Sequence, residues 1–220
     1  LVANQLPDAS AVTVSSGTLD FNFKAETLGS LTFNGGTISN VVNPLTLTST
    51  GTALTLRDTT IDFDVTLSGA SGGGIVFDLT NDGTGTLNGA LDLGGFTRTV
   101  TVADGTGTPD LKFAGVVSNG GLTKAGAGTL WLAGGSSNTY SGTTTVSAGT
   151  LELTKTAGND ALGGPLVVNG GIARLLDANQ LPDTSAVTVT TGTLDFNFKA
   201  EPLGSLTFNG GTISNVVNPL

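Results

Sequence analysis

The sequence has 220 residues, of which 34 are Gly and only 11% are charged, and it contains neither Cys nor His. This composition excludes disulfides, thiolate nucleophiles, imidazole bases and the usual zinc ligands. The formal net charge of −9 argues against nucleic acid as a partner, because that needs clustered Lys or Arg, and no apolar run approaches the ~18–20 residues required for membrane insertion by this segment.

The first feature along the chain is a segment that occurs twice. Residues 3–45 recur at 178–220, an offset of 175 residues. The two copies differ at four pairs of positions, which are Ala9/Thr184, Ser15/Thr190, Ser16/Thr191 and Thr27/Pro202. They are therefore predicted to be the same part of a 175-residue tandem repeat, with targeting and anchoring segments outside residues 1–220.

Short strands with alternating residues follow the start of the first copy. In TLDFNF (18–23) and TIDFDVTL (60–67) the apolar residues fall on one face, and Asp62 and Asp64 lie on the opposite face of the second strand. Residues 45–120 show no regular spacing of Gly, so irregular coils or projecting loops are predicted there.

A regular period begins later in the chain. A Gly opens a strand-like segment every 19 to 22 residues, at Gly128, Gly149, Gly171, Gly192 and Gly211. This spacing predicts an all-β chain that forms a single parallel β-helix (a β-solenoid) over residues 1–220, with coils of about 21 residues. An antiparallel β-sandwich is the alternative, but it gives no reason for strands to recur in phase.

Stacked coils place equivalent residues in ladders. Two inward ladders are predicted, Leu130, Leu151, Ala173, Leu194 and Ile213, and Leu132, Leu153, Leu175 and Phe196. The outward ladder between them is predicted to be Trp131, Glu152, Arg174, Asp195 and Ser214. Trp131 is a candidate surface contact, because exposed aromatic residues are enriched at binding hot spots, although packing under a neighbouring loop is equally compatible with its position.

Residues 120–153 carry a recognisable motif, GGLTKAGAGTLWLAGGSSNTYSGTTTVSAGTLEL. It closely resembles the autotransporter-associated β-strand repeat, also called the passenger-associated repeat. The resemblance implies a right-handed parallel β-helix in the passenger of a large bacterial surface protein, with roles in adhesion, biofilm formation and surface display. It also implies that Asn138 and Tyr140 shape a turn and that no catalytic residue is present.

Several residues were weighed as sites of other chemistry. Asp62 and Asp64, and the Asp-containing turns at 81–83, 103–110 and 158–160, offer oxygen ligands, but none matches a calcium loop. The expected assignment is therefore no catalytic, cofactor-binding or metal site, and no enzyme. The Thr runs at 46–50, 97–102 and 143–146 suggest ice binding as an alternative function.

The leading hypothesis is a non-enzymatic structural or adhesive repeat that serves as a rigid stalk. We expect it at the bacterial cell surface, outside the cell, anchored to the outer membrane through other regions. Its expected partners are neighbouring repeats of the same chain, further copies by end-to-end or lateral self-association, and host or cell-surface glycan or protein. A glycan- or protein-binding module that uses loops within 69–110 is the other alternative.

Overall fold

The computed structural model describes residues 5–42, 44–70, 72–78 and 83–217, and every regular element in them is a β-strand. The strands are β1 (Ala11–Val14), β2 (Thr18–Asp20), β3 (Thr27–Leu28), β4 (Ser30–Phe33), β5 (Thr37–Ser39), β6 (Leu45–Leu47), β7 (Thr52–Leu56), β8 (Thr60–Ile61), β9 (Val65–Leu67), β10 (Gly74–Phe77), β11 (Gly85–Leu87), β12 (Leu91–Val102), β13 (Leu111–Phe113), β14 (Val117–Ala125), β15 (Thr129–Gly134), β16 (Thr144–Val146), β17 (Thr150–Lys155), β18 (Leu166–Leu175), β19 (Ala186–Asp195), β20 (Ser205–Phe208) and β21 (Thr212–Ser214).

Successive coils pair in parallel, strand upon strand. Face A consists of β1, β4, β7, β10, the end of β12, the end of β14, β16, the starts of β18 and β19, and β20. This pairing confirms the predicted parallel β-solenoid and excludes the antiparallel sandwich. The right-handed sense of the coil stays a prediction.

Two further faces complete the coil. Face B consists of β8, β11, β13, β15, β17, the ends of β18 and β19, and β21. Face C consists of β3, β6, β9 and the starts of β12 and β14. Strands β2 and β5 form a separate parallel pair. No helix long and apolar enough to cross a membrane is found in the ranges that the structure describes.

The interior is one continuous apolar column. The first predicted ladder is observed in full, since Leu130, Leu151, Ala173, Leu194 and Ile213 are successive partners. Alternation explains the column, because every second residue of a strand faces inward. Each fully buried Leu contributes about 1.5–3 kcal/mol relative to an exposed one, and a short coil obtains this burial only from its neighbours.

Residues 45–120 join the same stack in their described parts. They contribute β6 to β13 and the start of β14. The coil is longer here, since Asn88 donates to Asp62 across 26 residues, whereas Arg174 and Asp195 are 21 residues apart. Longer coils explain why the Gly spacing is lost. Residues 71 and 79–82, within the 69–110 stretch and the 81–83 turn, lie outside the described residues.

The two sequence copies have the same structure. In the first, the Glu26 carboxylate accepts the backbone N–H groups of Gln5 and Leu6, at 3.1 and 2.8 Å. In the second, Glu201 accepts those of Gln180 and Leu181, at 2.6 and 3.1 Å. Eight pairing steps along face A lead from β1 to the start of β19, so one 175-residue repeat is a whole number of coils.

Candidate functional site

The outward ladder on face B is the one predicted from the sequence. Trp131, Glu152, Arg174, Asp195 and Ser214 are successive partners in the register. The Arg174 guanidinium donates to Asp195 Oδ2 from Nε at 2.8 Å and to Glu152 Oε1 from NH1 at 3.2 Å. Arg174 therefore joins three coils at the surface, as the register required.

Trp131 lies half-buried within this ladder. Its indole Nε1–H donates to Glu152 Oε2, and Lys112 is its partner on the preceding coil. The indole N–H is thus used within the protein, and only part of the ring surface is open to a ligand. A role for Trp131 in binding stays a prediction.

Asn138 and Tyr140 hold a corner of the solenoid together. Asn138 Oδ1 accepts the Val117 N–H at 2.8 Å, and its Nδ2 donates to the Ala161 carbonyl at 2.7 Å. Tyr140 is fully buried, and its hydroxyl shares a 2.7 Å hydrogen bond with Thr144 Oγ1. Burial raises the pKa of Tyr140 above its usual range. Both residues stabilise a turn between coils, in agreement with the role that the resemblance implied.

Three buried cations lie inside the corners, and sequence reasoning did not assign them this role. Arg98 donates to the carbonyls of Leu67, Gly69 and Leu93, each at 2.7 Å, and to that of Ala70 at 3.2 Å. Arg98 has the same parity in TRTVTV as the buried Val100 and Val102, so alternation could have placed it inside.

Lys124 and Lys155 have the same role at other corners. The Lys124 ammonium donates to the carbonyls of Gly126 at 2.8 Å and Ala148 at 3.2 Å, and Lys155 donates to Ala133 at 2.8 Å. Burial lowers the pKa of each Lys to about 8. These side chains satisfy carbonyls that turns leave without partners, which is needed in a buried corner.

Glu201 is a buried acid with an unusual titration. Burial raises its pKa to about 7, although the N–H groups of Gln180 and Leu181 act in the opposite direction, and Asp160 and Asp183 raise it further. Glu201 has no base or nucleophile beside it that would suggest catalysis. Its two hydrogen bonds instead tie consecutive coils together.

The carboxylates that were weighed as ligands take part in bridges between coils. Asp62 Oδ1 accepts from Asn88 Nδ2 and Asp64 Oδ1 accepts from the Ala90 N–H, both at 2.7 Å. In the 103–110 turn, Asp110 accepts the N–H groups of Gly105 and Thr129, both at 2.7 Å. Within the described ranges, no three acidic side chains come together in a way that could hold a metal ion.

The outward surface of face A differs in character from that of face B. Its middle position is Thr or Val on every coil, and we call this row the Thr rank. Its members are Thr13, Thr32, Thr55, Val76, Thr99, Thr101, Thr123, Thr145, Val167, Thr188 and Thr207. Two of the three Thr runs seen in the sequence supply part of this rank, whereas Thr144 of the third run is buried.

These features define a parallel β-solenoid whose polar interior groups serve the stacking of coils. A family model described as passenger-associated-transport-repeat matches residues 122–153, which confirms the family resemblance of this segment. The match contains Lys124, Asn138 and Tyr140, the side chains that hold two of the corners. Searches among curated proteins and among solved structures give no significant match. Fold and family together fit a structural passenger repeat.

Proposed function

We propose that this chain is a rigid spacer in the passenger of a secreted bacterial surface protein. One observation carries the proposal: a 175-residue repeat is eight coils long, so its copies keep the same rotational phase and can continue one straight column. At about 4.8 Å per coil, each repeat extends the column by about 38 Å. Tandem copies would hold a distal adhesive region away from the cell.

The first partner of each repeat is the next repeat. In the first copy, Leu31 and Phe33 are 0% and 2% exposed, because the coil that contains β7 covers them. Their counterparts Leu206 and Phe208 are 38% and 53% exposed. A coil with the sequence of residues 45–67 therefore fits this surface, and a following repeat would supply it. The same surface supports the expected end-to-end association of separate copies.

The interior supports rigidity. Successive coils share one apolar column, and the inward cations and Asn138 bind carbonyls of neighbouring coils. Bending the column would break contacts on one side of every coil, and close-packed interiors do not deform continuously. The location outside the cell, the anchoring to the outer membrane and the roles in adhesion and biofilm formation follow from the repeat family and belong to this proposal. A non-enzymatic role belongs to it as well.

Scattering measurements can test the spacer. Small-angle X-ray scattering of the 220-residue chain and of a chain extended by one 175-residue unit should show a maximum dimension that grows by about 38 Å, with an unchanged cross-section. An increase below about 20 Å, or a thicker particle, would contradict a straight stack. The 220-residue chain is the control for shape and aggregation.

One observation favours a second candidate, ligand binding within the 69–110 stretch. Phe96 is 40% exposed and lies beside a groove of about 260 Å³ that Asn119 and Ser141 also line. The Arg98 guanidinium is 5.2 Å from the ring centroid on its inner side. A glycan array with Phe96→Ala tests this candidate, and Phe198→Ala is a control in which an exposed Phe is lost elsewhere. Equal array signals for both variants and the parent would remove it.

A further inference from the structure

Face A has an outward surface without charge over its whole described length. On the β-strands of this face, the outward residues are Thr, Val, Ser, Ala and Gly, and the flanking Arg57 and Asp78 neutralise each other in a 2.8 Å ion pair. Face B, with the same strand geometry, has Lys112, Glu152 and Arg174 at its middle position. The preference of β-structure for Thr applies to both faces and does not explain the difference.

The Thr rank is also regular in shape. Thr and Val have the same branched outline and restricted χ1 angles, so Val76 and Val167 continue the rank without a step. Each Thr hydroxyl can both donate and accept a hydrogen bond. Within the part of the chain that the structure describes, these hydroxyls make no hydrogen bond to another protein group. The rank therefore presents a row of methyl and hydroxyl groups that repeats at the strand spacing of about 4.8 Å.

We propose that face A is a lateral docking surface for the same face of a second copy of this chain. A partner that contacts the rank on every coil must have the same repeat distance, and a second copy has it by construction. Cross-strand Thr pairs are favourable contacts, and the branched side chains can interdigitate. The inference goes beyond the proposed spacer role and rests on it only in that the column must be straight.

Charge also favours this surface. The chain has a net charge of −9, so most approaches of two copies bring acidic groups together. Like charges that face each other in an interface cost several kcal/mol. On face A this repulsion is smallest, and Thr and Val lose little hydration that a Thr or Val of the partner does not replace.

The size of the surface sets the strength of the contact. Nine steps of about 4.8 Å and three outward positions per strand give an area of roughly 43 by 13 Å, or about 550 Å² per copy. The total of about 1,100 Å² lies below the usual range for stable complexes. Isolated chains should therefore associate weakly and reversibly, and tandem repeats on one parent should associate more strongly through multivalency.

Sedimentation velocity over a concentration series tests the docking surface. The parent chain should show reversible, concentration-dependent association. Thr32→Lys/Thr145→Lys places two charges on the rank and should weaken association at least tenfold. Thr60→Lys/Thr86→Lys is the matched control, because it makes the same change in net charge at outward Thr positions of face B; its association should equal that of the parent. Circular dichroism confirms that the variants are folded.

Other results would overturn the inference. A parent chain that stays monomeric at millimolar concentration removes the surface, as does equal weakening by both double variants. Association that the face A variant retains would assign it to the ends of the column. Thermal hysteresis that the face A variant alone loses, without self-association of the parent, would assign the rank to ice. None of these results would alter the length increment expected from scattering, so the spacer proposal is tested separately.

Discussion

Replacing Asn138 with Ala should destabilise the solenoid more than its small change in volume suggests. Asn138 is 4% exposed, and its amide joins a residue 21 positions before it to a residue 23 positions after it. Alanine can neither accept the Val117 N–H nor donate to the Ala161 carbonyl. Both backbone groups would remain buried without a partner.

The magnitude follows from these two groups. Each buried polar group left without a partner costs about 1–3 kcal/mol, so the expected loss in the free energy of unfolding is about 2–6 kcal/mol. Water that enters the space of the lost amide would recover part of this, so the lower half of the range is expected. This is larger than the change of about 0.5 kcal/mol that is usual for surface substitutions.

Urea unfolding followed by circular dichroism measures the change. Asn159→Ala is the control, because its side-chain amide donates only to the Thr156 carbonyl, at an exposed turn three residues away. The m-value should remain constant between the variants, since the same surface is exposed on unfolding. If Asn138→Ala is within 0.5 kcal/mol of Asn159→Ala, the corner hydrogen bonds do not stabilise the stack as argued.

The other predictions concern a buried acid, a core ladder and the surface of face B. Because the folded pKa of Glu201 is raised to about 7, its contribution to stability is present below about pH 4.5 and lost as the pH rises through 7; unfolding curves at pH 4.5 and 8 should differ by up to about 3 kcal/mol, and Glu201→Gln should remove that difference. Leu151→Ala should cost about 2–5 kcal/mol in urea unfolding, because Leu130 and Ala173 cannot fill the cavity; a cost below 1 kcal/mol would contradict the shared column. Arg174→Ala should change stability by only about 0–1 kcal/mol, because its guanidinium is partly exposed, and a loss above 2 kcal/mol would refute that estimate. In a cell-adhesion assay, Trp131→Ala should reduce binding if the open part of the ring contacts a ligand, and unchanged binding would leave Trp131 as a packing residue.

The sequence was sufficient to predict the ladders where its period is regular. From Gly128 to Gly211 the spacing of Gly assigns the register, so the partners of Leu151 and the position of Arg174 between two carboxylates could be predicted. Between 45 and 120 the coils lengthen to as many as 27 residues, as between Asp92 and Asn119. A fixed period cannot follow such a change, because pairing depends on strand positions in space.

The interior cations show a different limit. A buried Arg or Lys is unfavourable unless it has partners, so alternation alone is a weak reason to place Arg98 or Lys124 inside. Their partners are turn carbonyls of other coils, which the sequence does not identify. The Thr rank was missed for a related reason. The sequence-based argument considered the outward residues after each Gly, which belong to face B, whereas the rank lies on face A.

The distance between Thr13 and Thr188 tests the central claim most directly. These residues occupy the same place in the two copies and lie eight pairing steps apart on face A. The chain has no Cys, so Thr13→Cys/Thr188→Cys can be spin-labelled at these two positions alone. Pulsed electron–electron resonance should give one narrow distance near 38 Å. A distance below about 25 Å, or a broad distribution, would contradict a straight stack of coils.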